Sequence, residues 1–222
     1  MFWIDPGSDE IGCSVSSAPA CFTPSVRWGI GVDADDFRLS PTASSERFSF
    51  HLLRQRRSRL IEAYWQLRSA IFCEEQHLFE ASDRDHLDAI AYPIAALNHG
   101  SARAAGESPG GASAGQVVGV VRILEQEPGL WYGGRLGVHR DFRRQNQIGK
   151  GLIWKAVSTA HGWGCRRFLA TVQLQNVRFF QRLHWQSIQE LEIRGIPHHL
   201  MEADLAYYQP AIERRPALLA AA

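Results

Sequence analysis

Apolar residues recur at helical spacing in two parts of the chain and at strand spacing in most of the rest. Leu60, Ile61, Tyr64, Leu67, Ile71 and Phe72 return every three or four positions, which predicts a helix over residues 58–79 with one buried stripe. Ile148, Leu152, Ile153, Ala156, Val157 and Ala160 repeat the pattern and predict a second helix. Residues 48–53 alternate as a first strand would, and residues 89–97 are apolar enough for a strand buried on both faces. Residues 116–125 are β-branched, and residues 130–138 follow as another strand across the turn at Glu127, Pro128 and Gly129. Beyond the second helix, residues 168–174 predict a strand and residues 176–185 a short helix. Residues 190–193 and 199–204 then pair across a turn at 195–197. That order predicts an α/β sheet with helices on both faces.

Two ends and one loop stand outside the pattern. Residues 1–45 are rich in Ser, Pro, Gly and Asp, carry isolated aromatics (Phe2, Trp3, Trp28) and keep no period. They are expected to form an irregular or disordered extension without chemistry of its own. Residues 99–115 are rich in Gly, Ser and Ala and predict a mobile hairpin loop. The tail from Gln209 should fray. The division is therefore an extension (1–45), one domain (46–209) and a short tail (210–222).

Composition changes this picture little. The 222 residues carry a net charge of +1, so no overall field draws the chain to nucleic acid or a membrane surface. Cys13, Cys21, Cys73 and Cys165 show no metal-ligand spacing and read as reduced thiols of a cytoplasmic protein, with Cys165 in the core. His198 and His199 beside Met201 lack further ligands and read as polar residues of an edge strand.

The chemistry concentrates in residues 130–164. There a strand leads through a basic turn (His139, Arg140, Arg143, Arg144) into a helix whose start holds Gly149 and Gly151. Helix-start N–H groups have no internal partner and carry partial positive charge, so the combination suits a pyrophosphate. A Walker loop fails because Gly149-Lys150 is followed by Gly151, and a dinucleotide fingerprint fails for want of a third glycine. An ordinary strand-to-helix turn with a solvated basic face fits the same residues.

The stretch resembles the acyl-CoA-binding motif of the GNAT acetyltransferase superfamily. That motif runs V-x-x-x-[YF]-R and then [QR]-x-x-G-x-[GA]. Here Val138, Phe142 and Arg143 are followed by Asn146, Gly149 and Gly151, with Asn146 in place of the usual Gln or Arg and one extra residue before Gly149. Two further segments are similar to GNAT elements in the same order. Leu67, Arg68, Phe72, Glu75 and Gln76 match LRxxVFxxEQ, and Asn176, Phe180, Leu183 and Trp185 match the N-x-x-[FY]-x-[KR]-L-G-[FW] ending. Finer features resemble an N-acetyltransferase family of bacterial nitrogen-starvation and nitrilase gene clusters. Arg68, Phe72, Asp85, Asp88, Arg122 and Arg135 also echo acyl-homoserine-lactone synthases, although Tyr132 stands at their Glu position.

The resemblance implies a GNAT fold with a central mixed, mostly antiparallel sheet. It implies transfer of an acetyl or other short acyl group from acetyl-CoA, as co-substrate, to a small-molecule amine, and it admits a homodimer. Leu136, Gly137 and Val138 would hold the thioester. Arg143, Arg144, Gln147, Ile148, Gly149, Lys150 and Gly151 would hold the pyrophosphate, and Asn176 the pantetheine arm. Arg68, Glu75, Asp85, Asp88, Arg122 and Arg135 would surround the acceptor, with Arg122 and Arg135 either reading a carboxylate on it or pairing internally with Asp85 and Asp88 to fix the turn over the sheet. Tyr132 would be the catalytic side chain, as the superfamily's Glu is replaced there and Phe180 replaces its Tyr acid. A catalytically weak acyl-CoA sensor and a longer-chain acyltransferase are the alternatives.

Overall fold

The computed structural model describes residues 3–4, 47–53, 58–100 and 115–217. Most of the 1–45 extension, most of the 99–115 loop and the last five residues lie outside them. Eight strands form one sheet: β1 (Trp3–Ile4), β2 (Phe48–Leu52), β3 (Tyr92–Asn98), β4 (Gln116–Glu127), β5 (Leu130–Val138), β6 (Arg167–Gln173), β7 (Trp185–Ile193) and β8 (Ile196–Ala203). Their order is β2-β3-β4-β5-β1-β6-β8-β7, and every neighbouring pair is antiparallel. The exception is a short parallel contact between β5 and β6. The expected mixed sheet is present, and the hairpin β7–β8 turns tightly at Arg194 (φ 52°) and Gly195 (φ 75°).

Helices cover both faces. α1 (Arg59–Ser69) opens at Ser58, whose side chain accepts a hydrogen bond from the Ile61 N–H. It buries Ile61, Tyr64 and Leu67 against Ala95, Leu97, Val117 and Val120. It is shorter than predicted, because residues Ala70–Glu75 widen into a π-helical turn and His77 takes a positive φ. The widening keeps Ile71 and Phe72 on the sheet, and the backbone at Gly137 lies so close that a Cβ there would sit 2.8 Å from Ile71 Cδ1.

α2 (Asn146–Gly162) packs on the opposite face through Ile148, Leu152, Ile153, Ala156, Val157 and Ala160, as its spacing predicts. Gly151 lets the helix approach β2, since a Cβ at that position would overlap the Phe50 ring. The short helix α3 (Val177–Gln181) closes the same core with Val177 and Phe180, and Leu183 just beyond it joins them. Cys165 is in this core, and burial pushes its thiol up to about 12.

Two boundary expectations change. Residues 209–217 do not fray: Ala211 N–H bonds the Ser158 carbonyl, Lys155 pairs with Glu213 at 2.7 Å, and Arg215 reaches Glu125 at 2.6 Å. Their Pro- and Ala-rich composition hid these anchors, which are one backbone N–H and two charged side chains spaced along a segment with no period. Within the expected irregular extension, Trp3 and Ile4 form strand β1 in the middle of the sheet.

Candidate active site

β5 and β6 run side by side only from Leu130, Trp131 and Tyr132 against Arg167, Phe168 and Leu169. Above that level β5 bulges. Arg122 faces Gly134 and Val120 faces Gly137, so Val121 alone opposes the two residues Arg135 and Leu136. An extra residue on one strand bends it and raises its twist, which carries β5 away from β6. Arg135 takes the left-handed conformation (φ 54°) that a long side chain adopts only when its surroundings fix it.

The surroundings are a buried charge network. Arg68, Arg122 and Arg135 are all 0% exposed. Arg68 donates to Asp83 at 2.6 Å and to Asp88 at 2.7 Å. Arg122 grips Asp85 with two bonds (2.6 and 2.8 Å) and reaches Asp88 at 2.7 Å. Arg135 donates to Asp85 at 3.0 Å and to the Asp83 carbonyl at 3.2 Å, with its guanidinium 4.5 Å above the Phe79 ring. Burial pushes the Asp85 and Asp88 carboxyls up, but the arginines outweigh it: Arg122 and Arg135 hold Asp85, and Arg68 and Arg122 hold Asp88, below the ordinary value. Burial, with Arg122 and Arg68 as neighbouring cations, lowers Arg135.

Three arginines therefore meet three aspartates, and Arg122 and Arg135 are engaged with the 83–88 turn rather than presented to an acceptor anion. The expectation that they read a carboxylate gives way to the internal pairing. Sequence reasoning did not include Asp83 or Phe79, though the turn's three aspartates opposite three arginines carried the signal.

The strand divergence opens toward the start of α2, which follows β5 through a short 3-10 turn (Arg140–Phe142). That start has no side-chain cap at Gln145 and no acidic residue in its first turn, which leaves donors and partial positive charge outward. Gln147 and Arg144 are exposed, Gly149 is buried, and Ile148 is a core residue, so only its backbone faces the opening. Burial lowers the half-buried Lys150. Arg143 is a brace: its Nε donates to the Val138 carbonyl at 2.9 Å, and its Nη2 pairs with Glu75. Gly151 serves the contact with Phe50 rather than ligand approach.

At the end of β6, Asn176 closes a 3-10 turn (Leu174–Asn176), and its Nδ2 is buried without a hydrogen-bond partner. A buried donor with no partner is costly, and a ligand carbonyl would satisfy it. Tyr132 lies where β5 and β6 are still paired, opposite Leu124 and Leu169. Leu136 lies four positions further on, about 13 Å along a strand. Phe180 is buried against Trp185, ring centroids 5.2 Å apart. His198 is buried with Nδ1 2.7 Å from the Ile196 carbonyl, while His199 bonds Ser187 at 2.6 Å.

A mixed sheet whose central strands part beside an open helix start defines the class, an acyltransferase of GNAT fold. Residues 62–185 match the family model described as Acetyltransferase (GNAT) family, and the chain belongs to that family. No curated protein matches the sequence. Among solved structures, Escherichia coli ElaA is similar at 22% identity and TM-score 0.56, over 71% of this chain and 99% of that one. An acyl-CoA N-acyltransferase from Pseudomonas aeruginosa is similar at 17% and 0.54, over 71% and 99%. The CoA-dependent acyl-homoserine lactone synthase BjaI, solved with SAM and isopentyl-CoA, is similar at 16% and 0.56, over 78% and 95%. Identities this low speak for the fold alone. No helix among the described residues is long and apolar enough to cross a membrane.

Proposed function

We propose that the chain transfers a short acyl group, acetyl first among them, from acyl-CoA to the amine of a small molecule. The observation that carries this reading is the bulge at Arg135, which parts β5 from β6 directly beside the uncapped start of α2. The donor supplies a thioester carbonyl that an amine can attack. Backbone N–H groups at Leu136, Gly137 and Val138 hold that carbonyl as its oxygen gains charge. Arg144 and the backbone of residues 147–150 face the pyrophosphate, and the unpartnered Asn176 amide meets the donor arm. Bringing amine and thioester together supplies much of the rate, up to about 7–11 kcal/mol in well-oriented cases.

The carboxylates once expected around the acceptor are held by arginines, Glu75 by Arg143 and Asp85 and Asp88 by the network. The amine's proton is therefore assigned to water, with Tyr132 lower on the same strand ordering it. A chain that binds acyl-CoA without turning it over is the second reading, favoured by the buried Phe180, which has no proton to donate, and by Tyr132 in place of a carboxylate. Free CoA released from acetyl-CoA across a panel of amines separates the two, because a sensor releases none above background. Gly149→Val, checked for folding, should weaken CoA binding in calorimetry; unchanged affinity removes the helix start from the site.

A further inference from the structure

Trp3 and Ile4 lie between the parted strands. Trp3 faces Leu136 of β5 on one side and Val172 of β6 on the other, and Ile4 faces Thr171. The gap they fill is two strand spacings wide, roughly 9.5 Å. Its two edges are rows of backbone donors and acceptors, which inside a sheet need partners. A short extended segment, antiparallel to both edges, supplies them here.

We propose that this gap is a strand-accepting groove in which the chain's own Trp3–Ile4 segment and the pantetheine arm of acyl-CoA exclude each other. The inference rests on the reading that Leu136, Gly137 and Val138 hold the donor. The arm is an extended chain with two amide groups, so it presents to a strand edge what a peptide presents. Leu136 is at once the residue paired with Trp3 and the first of the three assigned to the thioester. One backbone edge cannot serve both occupants.

The segment is suited to leave. Its register spans two residues, against nine in β5 and seven in β6, so few bonds hold it. The β5–β6 contact below it and the Arg135–Asp85 bond beside it are made by other residues, so neither depends on a bond to β1. Being part of the same chain, the segment acts at a high effective concentration, which compensates for weak pairing. Donor affinity is then reduced by the fraction of molecules whose gap is filled; for a gap filled nine-tenths of the time the reduction is about tenfold.

The test keeps the full chain and changes Ile4→Pro, which removes one N–H and fixes φ where strand pairing needs both free. CoA affinity is measured by calorimetry, with thermal unfolding as the folding control. Hydrogen exchange is read at Trp3, Ile4 and Leu136 with and without CoA. The expected result is at least threefold tighter CoA binding in Ile4→Pro. In the unaltered chain, CoA should speed exchange at Ile4 while Leu136 stays protected. Equal affinity in the two chains overturns the competition and leaves the donor site standing. Weaker binding in Ile4→Pro also overturns it, since the segment would then be part of the site. Should neither chain bind CoA at millimolar concentration, the donor reading fails and takes the competition with it. Trp3→Gly serves as the second variant if Ile4→Pro unfolds, with the same expectations.

Discussion

On the α2 face of the sheet, Leu152, Ile153, Ala156 and Val157 meet Ile94, Val118, Val121 and Ile123 in an apolar core. On the α1 face, strands β4 and β5 carry Arg122 and Arg135 into a network with Arg68 and the 83–88 turn. Both faces are fully buried at these positions, yet they do different work. An apolar face tolerates adjustment and only has to be filled. A charged face has a narrow set of arrangements that satisfy it, and this one fixes a left-handed arginine at the bulge where the sheet opens. Buried ions are poor stabilisers beside apolar residues of equal volume. Their place here follows from position: they hold the strand that makes the cleft.

The largest effect expected on that contrast comes from Arg68→Ala. It takes from Asp83 its 2.6 Å partner and leaves Asp88 to Arg122 alone, and removing one partner of a buried pair costs about 3–5 kcal/mol. On the other face Leu152→Ala should cost about 2–5 kcal/mol, set by how far the cavity collapses. Urea unfolding of both variants compares them, and added salt should not restore Arg68→Ala because buried charges are little screened. A loss under 1 kcal/mol for Arg68→Ala would mean the network is looser than its distances. Next in size is Gly151→Ala, which drives a methyl into the Phe50 ring. Overpacking of this kind costs about 1–3 kcal/mol. Phe50→Leu in the same chain should recover part of it, which no ligand-approach role for Gly151 predicts.

The contrast also explains what was legible beforehand. Periodicity reports apolar burial, so α2, β5 and their core could be read to within a few residues, and β5 to its ends. Polar burial leaves no period. Arg122 and Arg135 were visible as arginines on strands, but an external anion and an internal aspartate satisfy a guanidinium equally well in a sequence. Only the fold, by bringing the 83–88 turn over β4 and β5, decides between them. β1 was hidden for a different reason: two residues are too few to show alternation, and their pairing depends on a gap that a bulge elsewhere creates. The Ala70–Glu75 widening was hidden because π and α turns share nearly the same apolar spacing.

Acid titration sharpens the comparison from the charged side. Asp85 and Asp88 have folded values below 3.8, the ordinary carboxyl value. The stability they supply is therefore complete above that value and is lost as pH falls through the depressed folded values. The chain should keep its urea midpoint, as far as these groups set it, down to about pH 4 and lose it below. Asp85→Asn should flatten that loss while lowering the midpoint at neutral pH. An unchanged acid limb in Asp85→Asn would take Asp85 out of the account.

Tyr132 is expected to give the smallest effect, and it tests the catalytic half of the proposal. Its side chain is half-buried on β5, beside a backbone paired with both Leu124 and Leu169, about 13 Å along the strand from Leu136. A phenol ionises near pH 10, so at neutral pH it is a weak base even where it touches the substrate. Were it the base, Tyr132→Phe would lower the rate by roughly 10²–10⁴, the usual worth of a positioned acid or base. With the proton going to water instead, Tyr132→Phe should lower kcat less than about fivefold, well short of that range. The pH profile gives the sign. The attacking amine must be neutral, so the rate should rise about tenfold per pH unit until the acceptor's own pKa is reached, in the variant as in the unaltered chain. Exchanging the acceptor for a less basic amine should move that rise to lower pH by the difference in amine pKa. A rise that stays in place when the amine is exchanged, and disappears in Tyr132→Phe, would return the phenol to the catalytic role.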